Sequence, residues 1–149
     1  MPAANNPTQE PEKVLIDFIS AMNTWEIACS DRRSKWKEQS RATGVQGDYA
    51  EIQATNAREL EQIFQKYCAP NQPRTRAASW RRPPEYNPQT EKIIEVVAKD
   101  DAKCRIHTED KDDPRAKIHE YVLAKSGGRW RLQSKNLLVE DGKLSRLVL

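Results

Sequence analysis

Two carboxylates stand where acid–base chemistry could begin. Glu26 falls on the apolar arc of a helix-like stretch, between the directions of Leu15 and Ile19. Glu120 alternates with Ile118 and Val122 along a strand-like stretch, on the side expected to face inward. Burial raises a carboxyl pKa, so such a pair could supply a general base and its partner acid. Buried acids are more often tied to a cation for structural reasons. Both histidines, His107 and His119, alternate to the opposite, polar face and are poorly placed to complete a dyad. The cysteines, Cys29, Cys68 and Cys104, are odd in number, lie among apolar residues and show no metal-ligand spacing, so they read as buried free thiols. No metal or other cofactor is expected, and no Ser-His-Asp or Cys-His arrangement can be inferred.

Cations form the second constellation. If the C-terminal strands are neighbours, one sheet face displays Lys103, Arg105 and His107, then Arg115, Lys117, His119 and Tyr121, then Arg129, Arg131 and Gln133. Like charges across strands cost roughly a few tenths of a kcal/mol per pair. A basic face of this kind is tolerated in water and useful against an acidic partner, where it raises the on-rate. It also reads as an ordinary solvated face or a homodimer contact. A rival site lies in residues 70–90, where Arg74, Arg76, Trp80, Arg81, Arg82 and Tyr86 mix cationic and aromatic groups enriched at interface hot spots. The bland alternative makes Trp80 a lid folded onto the core.

The elements that must position these residues follow from length and period. The 149 residues allow one domain, able to bury roughly 70% of its unfolded surface. No window approaches the ~20 apolar residues of a membrane span, and MPAANNPTQEPEK lacks the apolar core of a signal peptide. A cytoplasmic protein is therefore expected, with residues 1–10 a disordered tail and residues 11–149 a single domain. Net charge is +3, too small an excess to favour nucleic acid, with the C-terminal half the basic end. Helix periodicity begins at Pro11, with Thr8 or a neighbour as cap, and includes Val14, Leu15, Phe18, Ile19, Met22, Trp25, Cys29 and Trp36 before Gly44 stops it. A second helix opens with Asp48 and Glu51, carries Ala57, Leu60, Ile63, Phe64 and Tyr67 inward, and stops at Pro70.

Residues 70–90, with five prolines, form a long loop. After it the period falls to 2. KIIEVVAK (92–99) is apolar on both faces and predicts a well-covered strand; 103–108 places Cys104, Ile106 and Thr108 together. Residues 115–125 alternate with Ala116, Ile118, Val122 and Ala124 together. Gly127-Gly128 predicts a hairpin into 129–134, with Trp130 and Leu132 inward, and 144–149 is a candidate last strand. The class is α+β, helices on one face of an antiparallel sheet.

VLIDFISAMNTWE (Val14–Glu26), YVLAKSGGRWRLQSK (Tyr121–Lys135) and the following DGKLSRLVL bracket nearly the whole chain. With this order of elements they resemble the NTF2-like cone, in which N-terminal helices pack on a curved antiparallel sheet. More specifically, the chain is similar to the NTF2 fold immunity proteins of bacterial polymorphic toxin systems. The resemblance implies a protein that is not an enzyme, binds a cognate toxin domain and blocks it stoichiometrically, with no membrane partner. NTF2-like cones also host isomerases and cyclases, for which Glu26 and Glu120 are the acids to test. A nucleic-acid or accessory binding module is the third reading. The expected partner-binding residues are Arg105, His107, Lys117, His119, Arg129, Arg131, Trp80, Arg81, Arg82 and Tyr86.

Overall fold

A computed structural model describes residues 10–70, 80, 84–111 and 118–138, together with the backbone of 144–147. Helix α1 spans Pro11–Thr43 and α2 spans Tyr49–Tyr67. Strands β1 (Glu91–Lys99), β2 (Lys103–Asp110), β3 (Ile118–Ser126), β4 (Arg129–Leu138) and β5 (Leu144–Leu147) follow. They form one five-stranded antiparallel sheet in sequence order.

Local chemistry sets the helix ends. Pro11 occupies the first turn, where its missing N–H costs nothing. The cap is Glu10, acting only through its carbonyl, which accepts from the Lys13 and Val14 amides at 3.0 and 3.2 Å. The expected Thr8 cap lies outside the described residues. Gly44 ends α1 at φ 71°, and its N–H returns to the Ser40 carbonyl at 3.0 Å. Asp48 caps α2 by accepting from the Ala50 amide at 2.9 Å. In the β3–β4 hairpin Gly127 and Gly128 take φ values of 61° and 78°, as the favoured two-residue turn requires.

The core joins Leu15, Phe18, Met22 and Trp25 of α1, and Leu60 and Phe64 of α2, to Cys104, Ile106, Tyr121, Leu123 and Leu132 of the sheet. Phe18 meets Tyr67 and Tyr86 edge-on, at centroid distances of 6.2 and 5.5 Å. Burying a side chain of this kind stabilises the fold by about 1.5–3 kcal/mol. The helices are also cross-tied. The Trp25 indole donates to the Asn56 carbonyl at 2.9 Å, and Arg32 reaches the Asn56 Oδ1 at 2.7 Å and Glu59 at 2.6 Å.

Four local expectations are corrected. Ala57 is exposed, and Asn56 takes its place on the buried side of α2 because its backbone and side chain both serve α1. Trp36 leaves the core stripe and packs on Tyr49 at 4.8 Å, since α1 has run past the core by that point. Strand β1 is not covered; it is the sheet edge, with Ile94, Val96 and Val97 exposed by 47, 37 and 45%. Register shifts between Ile93 and Glu95, and between Val96 and Ala98, show that it is also bulged. Finally, β3 is in the opposite phase. Tyr121 and Leu123 lie opposite Ile106 and Cys104 and are fully buried, whereas Glu120, Val122 and Ala124 belong to the outer face. Burying Tyr and Leu removes more apolar surface from water than burying Val and Ala, and a strand can satisfy only one phase.

Candidate functional site

The interior contains a polar cluster built by β1, β2, β3 and β4. Glu91, the first residue of β1, turns its carboxylate inward, where Oε2 accepts from Thr108 Oγ1 at 2.6 Å and from the Tyr121 hydroxyl at 2.9 Å. His119 Nδ1 lies 3.6 Å from the same oxygen, an electrostatic contact too long for a good hydrogen bond. Lys135 is 1% exposed and places Nζ 4.2 Å from the Tyr86 ring centroid and 5.7 Å from that of Tyr121. These cation–π contacts and the nearby carboxylate are what make a buried ammonium tolerable.

Electrostatics confirm that the groups support one another. Burial alone would push the Glu91 carboxyl up, but His119, Lys135 and the Thr108 hydroxyl outweigh it, and the carboxyl sits below its ordinary value. Burial likewise pulls against the Lys135 ammonium, yet Tyr86 and the Glu91 carboxylate hold it above the usual lysine value. The Tyr121 phenol is raised well above its usual value by burial first and by the Glu91 charge second.

Glu26 is buried on the apolar arc of α1, and it serves the backbone. Its Oε1 accepts from the Tyr86 amide at 3.0 Å and its Oε2 from the Glu85 amide at 3.1 Å, while Asn23 donates to the Tyr86 carbonyl at 2.7 Å. This clamp fixes the segment that carries Tyr86 into the core. Glu26 and Glu120 do not form a pair. Glu120 is on the outer face, where its Oε2 lies 2.9 Å from His107 Nε2. A carboxylate, a phenol and an imidazole do converge, but on Glu91. Tyr86, Tyr121 and Lys135 are buried beside it, so these polar groups are engaged with one another inside the fold.

The outer sheet face is less basic than its sequence suggests. Lys103, Arg105 and Arg129 are exposed there, around the half-buried Val122 and Ala124. His107 is engaged by Glu120, and exposed Glu95 stands opposite it on β1. Arg131 reaches round to the end of α2, donating to the Gln65 carbonyl at 3.2 Å, a favourable place for a cation near a helix C-terminus. His119 and Tyr121 are corrected to the inner face for the reason that inverted β3. Arg115 and Lys117 lie outside the described residues.

In the loop, Trp80 packs on the core as a lid would, with the Arg33 guanidinium 5.9 Å from its ring centroid. Tyr86 is fully buried and unavailable to a partner, because the Glu26 clamp turns its segment inward. Arg74, Arg76, Arg81 and Arg82 lie outside the described residues. A separate open groove of about 710 Å³ runs between the helices, lined by Asp17, Thr24, Trp25, Glu59, Ile63 and Tyr67.

Cys29, Cys68 and Cys104 are all buried, and burial pushes the Cys29 thiol up to about 12. Among the described residues no cluster of His, Cys, Asp or Glu could hold a metal ion, and no helix is long and apolar enough to cross a membrane.

Sequence reasoning missed Glu91 and Lys135. Each stands where alternation gives no inward signal, at the start of a strand and just after a bulge.

Residues 10–146 match the family model described as NTF2 fold immunity protein. No curated protein and no solved structure matches the chain. Two helices on an antiparallel sheet are the architecture that this family's name requires. The chain belongs to the NTF2 fold immunity proteins.

Proposed function

We propose that the chain acts by binding: it forms a one-to-one complex with a cognate toxin domain, in the cytoplasm of the cell that makes it, and covers a surface the toxin needs. The observation that supports this reading best is the family match over residues 10–146, and the interior polar groups accord with it. Tyr86, Tyr121 and Lys135 are buried beside Glu91, whose carboxylate accepts from the Tyr121 hydroxyl and has His119 close by, so these groups are committed to one another. What remains for a partner is the exterior. Lys103, Arg105 and Arg129 on the outer sheet face are exposed cations around a small apolar centre, suited to an acidic rim and an apolar contact.

The test starts with the tagged full chain in its native host, followed by identification of the retained protein and reconstitution from purified parts. The expected result is a stoichiometric complex with a toxin domain whose activity is lost within it. Charge reversal at Arg105 and Arg129 should weaken that complex and flatten its salt dependence. A toxin that remains fully active in the presence of excess protein would overturn the reading.

A further inference from the structure

Helix α1 is longer than the core needs. Its last buried residue is Cys29, yet the helix continues to Thr43, an extension of roughly 20 Å. Residues 31–43 carry five basic side chains against two acidic ones. Arg32 is used internally, bound to Asn56 and Glu59. Lys37 and Arg41 are not, and Arg33 contacts only the Trp80 ring among the described residues. The three follow one another at intervals of four residues, so they form a single ridge about 12 Å long on one side of the helix.

All three are exposed, and none makes an ion pair among the described residues. Like charges four apart weaken a helix, so this arrangement works against the stability of the element that carries it. The ridge is nevertheless anchored at both ends. At one end Arg33 lies over Trp80, and Trp80 packs on the core. At the other the helix is braced by Trp36, which packs on Tyr49 with the rings tilted by 46° and donates to the Gly47 carbonyl at 3.0 Å. Just beyond Arg41, Val45 is 68% exposed at the tip of the helical hairpin.

We infer that the Arg33–Lys37–Arg41 ridge, ending at Val45, is a docking surface for an acidic protein surface. Resting on the immunity reading, it assigns the toxin's contact to the far half of α1 as well as to the sheet. Exposed cations without an ion-pair partner among the described residues provide charge complementarity, and a bare valine at their end suits an apolar pocket on a protein better than a phosphate backbone.

The ridge is tested with two labelled probes on the full chain at low salt: a 20-residue poly-L-glutamate and a 20-base-pair DNA duplex. Poly-glutamate should bind more tightly than the duplex. The variant R33E/K37E/R41E should lose at least tenfold in affinity for it, while R105E/R129E loses less than threefold. A neutral variant, R33Q/K37Q/R41Q, should keep the wild-type melting temperature or exceed it and still lose binding, which separates contact from folding. Equal losses from ridge and sheet variants, tighter binding of the duplex, or no binding of poly-glutamate would overturn the inference. With the reconstituted toxin complex, full retention of affinity by R33Q/K37Q/R41Q sinks the ridge and leaves the immunity reading standing. Failure to inhibit any toxin, with poly-glutamate still bound through the ridge, sinks that reading alone.

Discussion

Lys135 is the side chain whose surroundings matter most to the interior, because a buried ammonium depends entirely on its neighbours. Lys135→Met keeps the length and removes the charge, but it leaves the Glu91 carboxylate with fewer compensating groups, at an expected cost of about 3 kcal/mol. Glu91→Gln strands the lysine in the same way and should cost about 2–3 kcal/mol, since it replaces the charged acceptor of the Thr108 and Tyr121 hydroxyl bonds with a neutral amide oxygen. The double variant should recover much of the sum, and urea melts of all four proteins measure that coupling. Strictly additive losses would show that the two charges act independently. The same carboxylate sets an acid limit. Its folded value lies below the ordinary 4.5, so its stabilisation is fully present above that pH and is lost as pH falls through the folded value. Between about pH 6 and pH 3 the melting temperature of Glu91→Gln should therefore fall less than that of the wild type. None of this could be read from alternation. In β4, Gln133 has no partner in the register with β3, and that extra residue switches the parity, so that Lys135 rather than Ser134 faces in with Trp130 and Leu132.

At the level of elements, helices were legible because their stripe is redundant: many apolar positions agree on one arc, and the caps Asp48 and Gly44 mark the ends. Strands carry less information. In β3 both phases offer apolar residues, and only the pairing with Cys104 and Ile106 shows that Tyr121 and Leu123 prevail. The two phases differ measurably. Tyr121→Ala should cost about 3–5 kcal/mol, near the value for other large buried aromatics, and Val122→Ala about 1 kcal/mol. Comparable losses at the two positions would contradict the assigned faces. Strand β1 misled for a different reason, since apolar composition records what a segment could bury rather than whether a neighbour is present to cover it. The loop between α2 and β1 carried its meaning in Trp80 and Tyr86, both of which turn toward the core. Trp80→Ala should lower stability by about 1–2 kcal/mol through lost burial. It should also release Arg33, which makes it a poor variant for testing contact alone.

For the whole molecule, the count of charges by halves concealed where the charge acts. The segment up to residue 69 is slightly acidic in total, yet its helix α1 ends in a ridge of exposed cations with no ion pair among the described residues, while Lys135 and Arg131 of the basic half are engaged by Glu91 and the end of α2. Net charge averages over such differences; association does not. Exposed cations on the sheet face and on α1 act on an approaching acidic surface over a screening length of about 10 Å at 0.1 M salt, shrinking to about 3 Å at 1 M. In the proposed complex, apolar contacts around Val45, Val122 and Ala124 would act only after contact and be nearly indifferent to salt. The two contributions should therefore separate in time. Raising salt from about 50 mM to about 500 mM should slow association with the toxin at least tenfold and change the dissociation rate less than threefold. Neutralising Arg33, Lys37 and Arg41 should reproduce much of the slowing at low salt and add little at high salt. Stopped-flow mixing at both salt concentrations measures this directly. A dissociation rate that carried the salt dependence instead would mean that the cations are buried in the finished complex, and that the interface is held by them rather than merely approached through them.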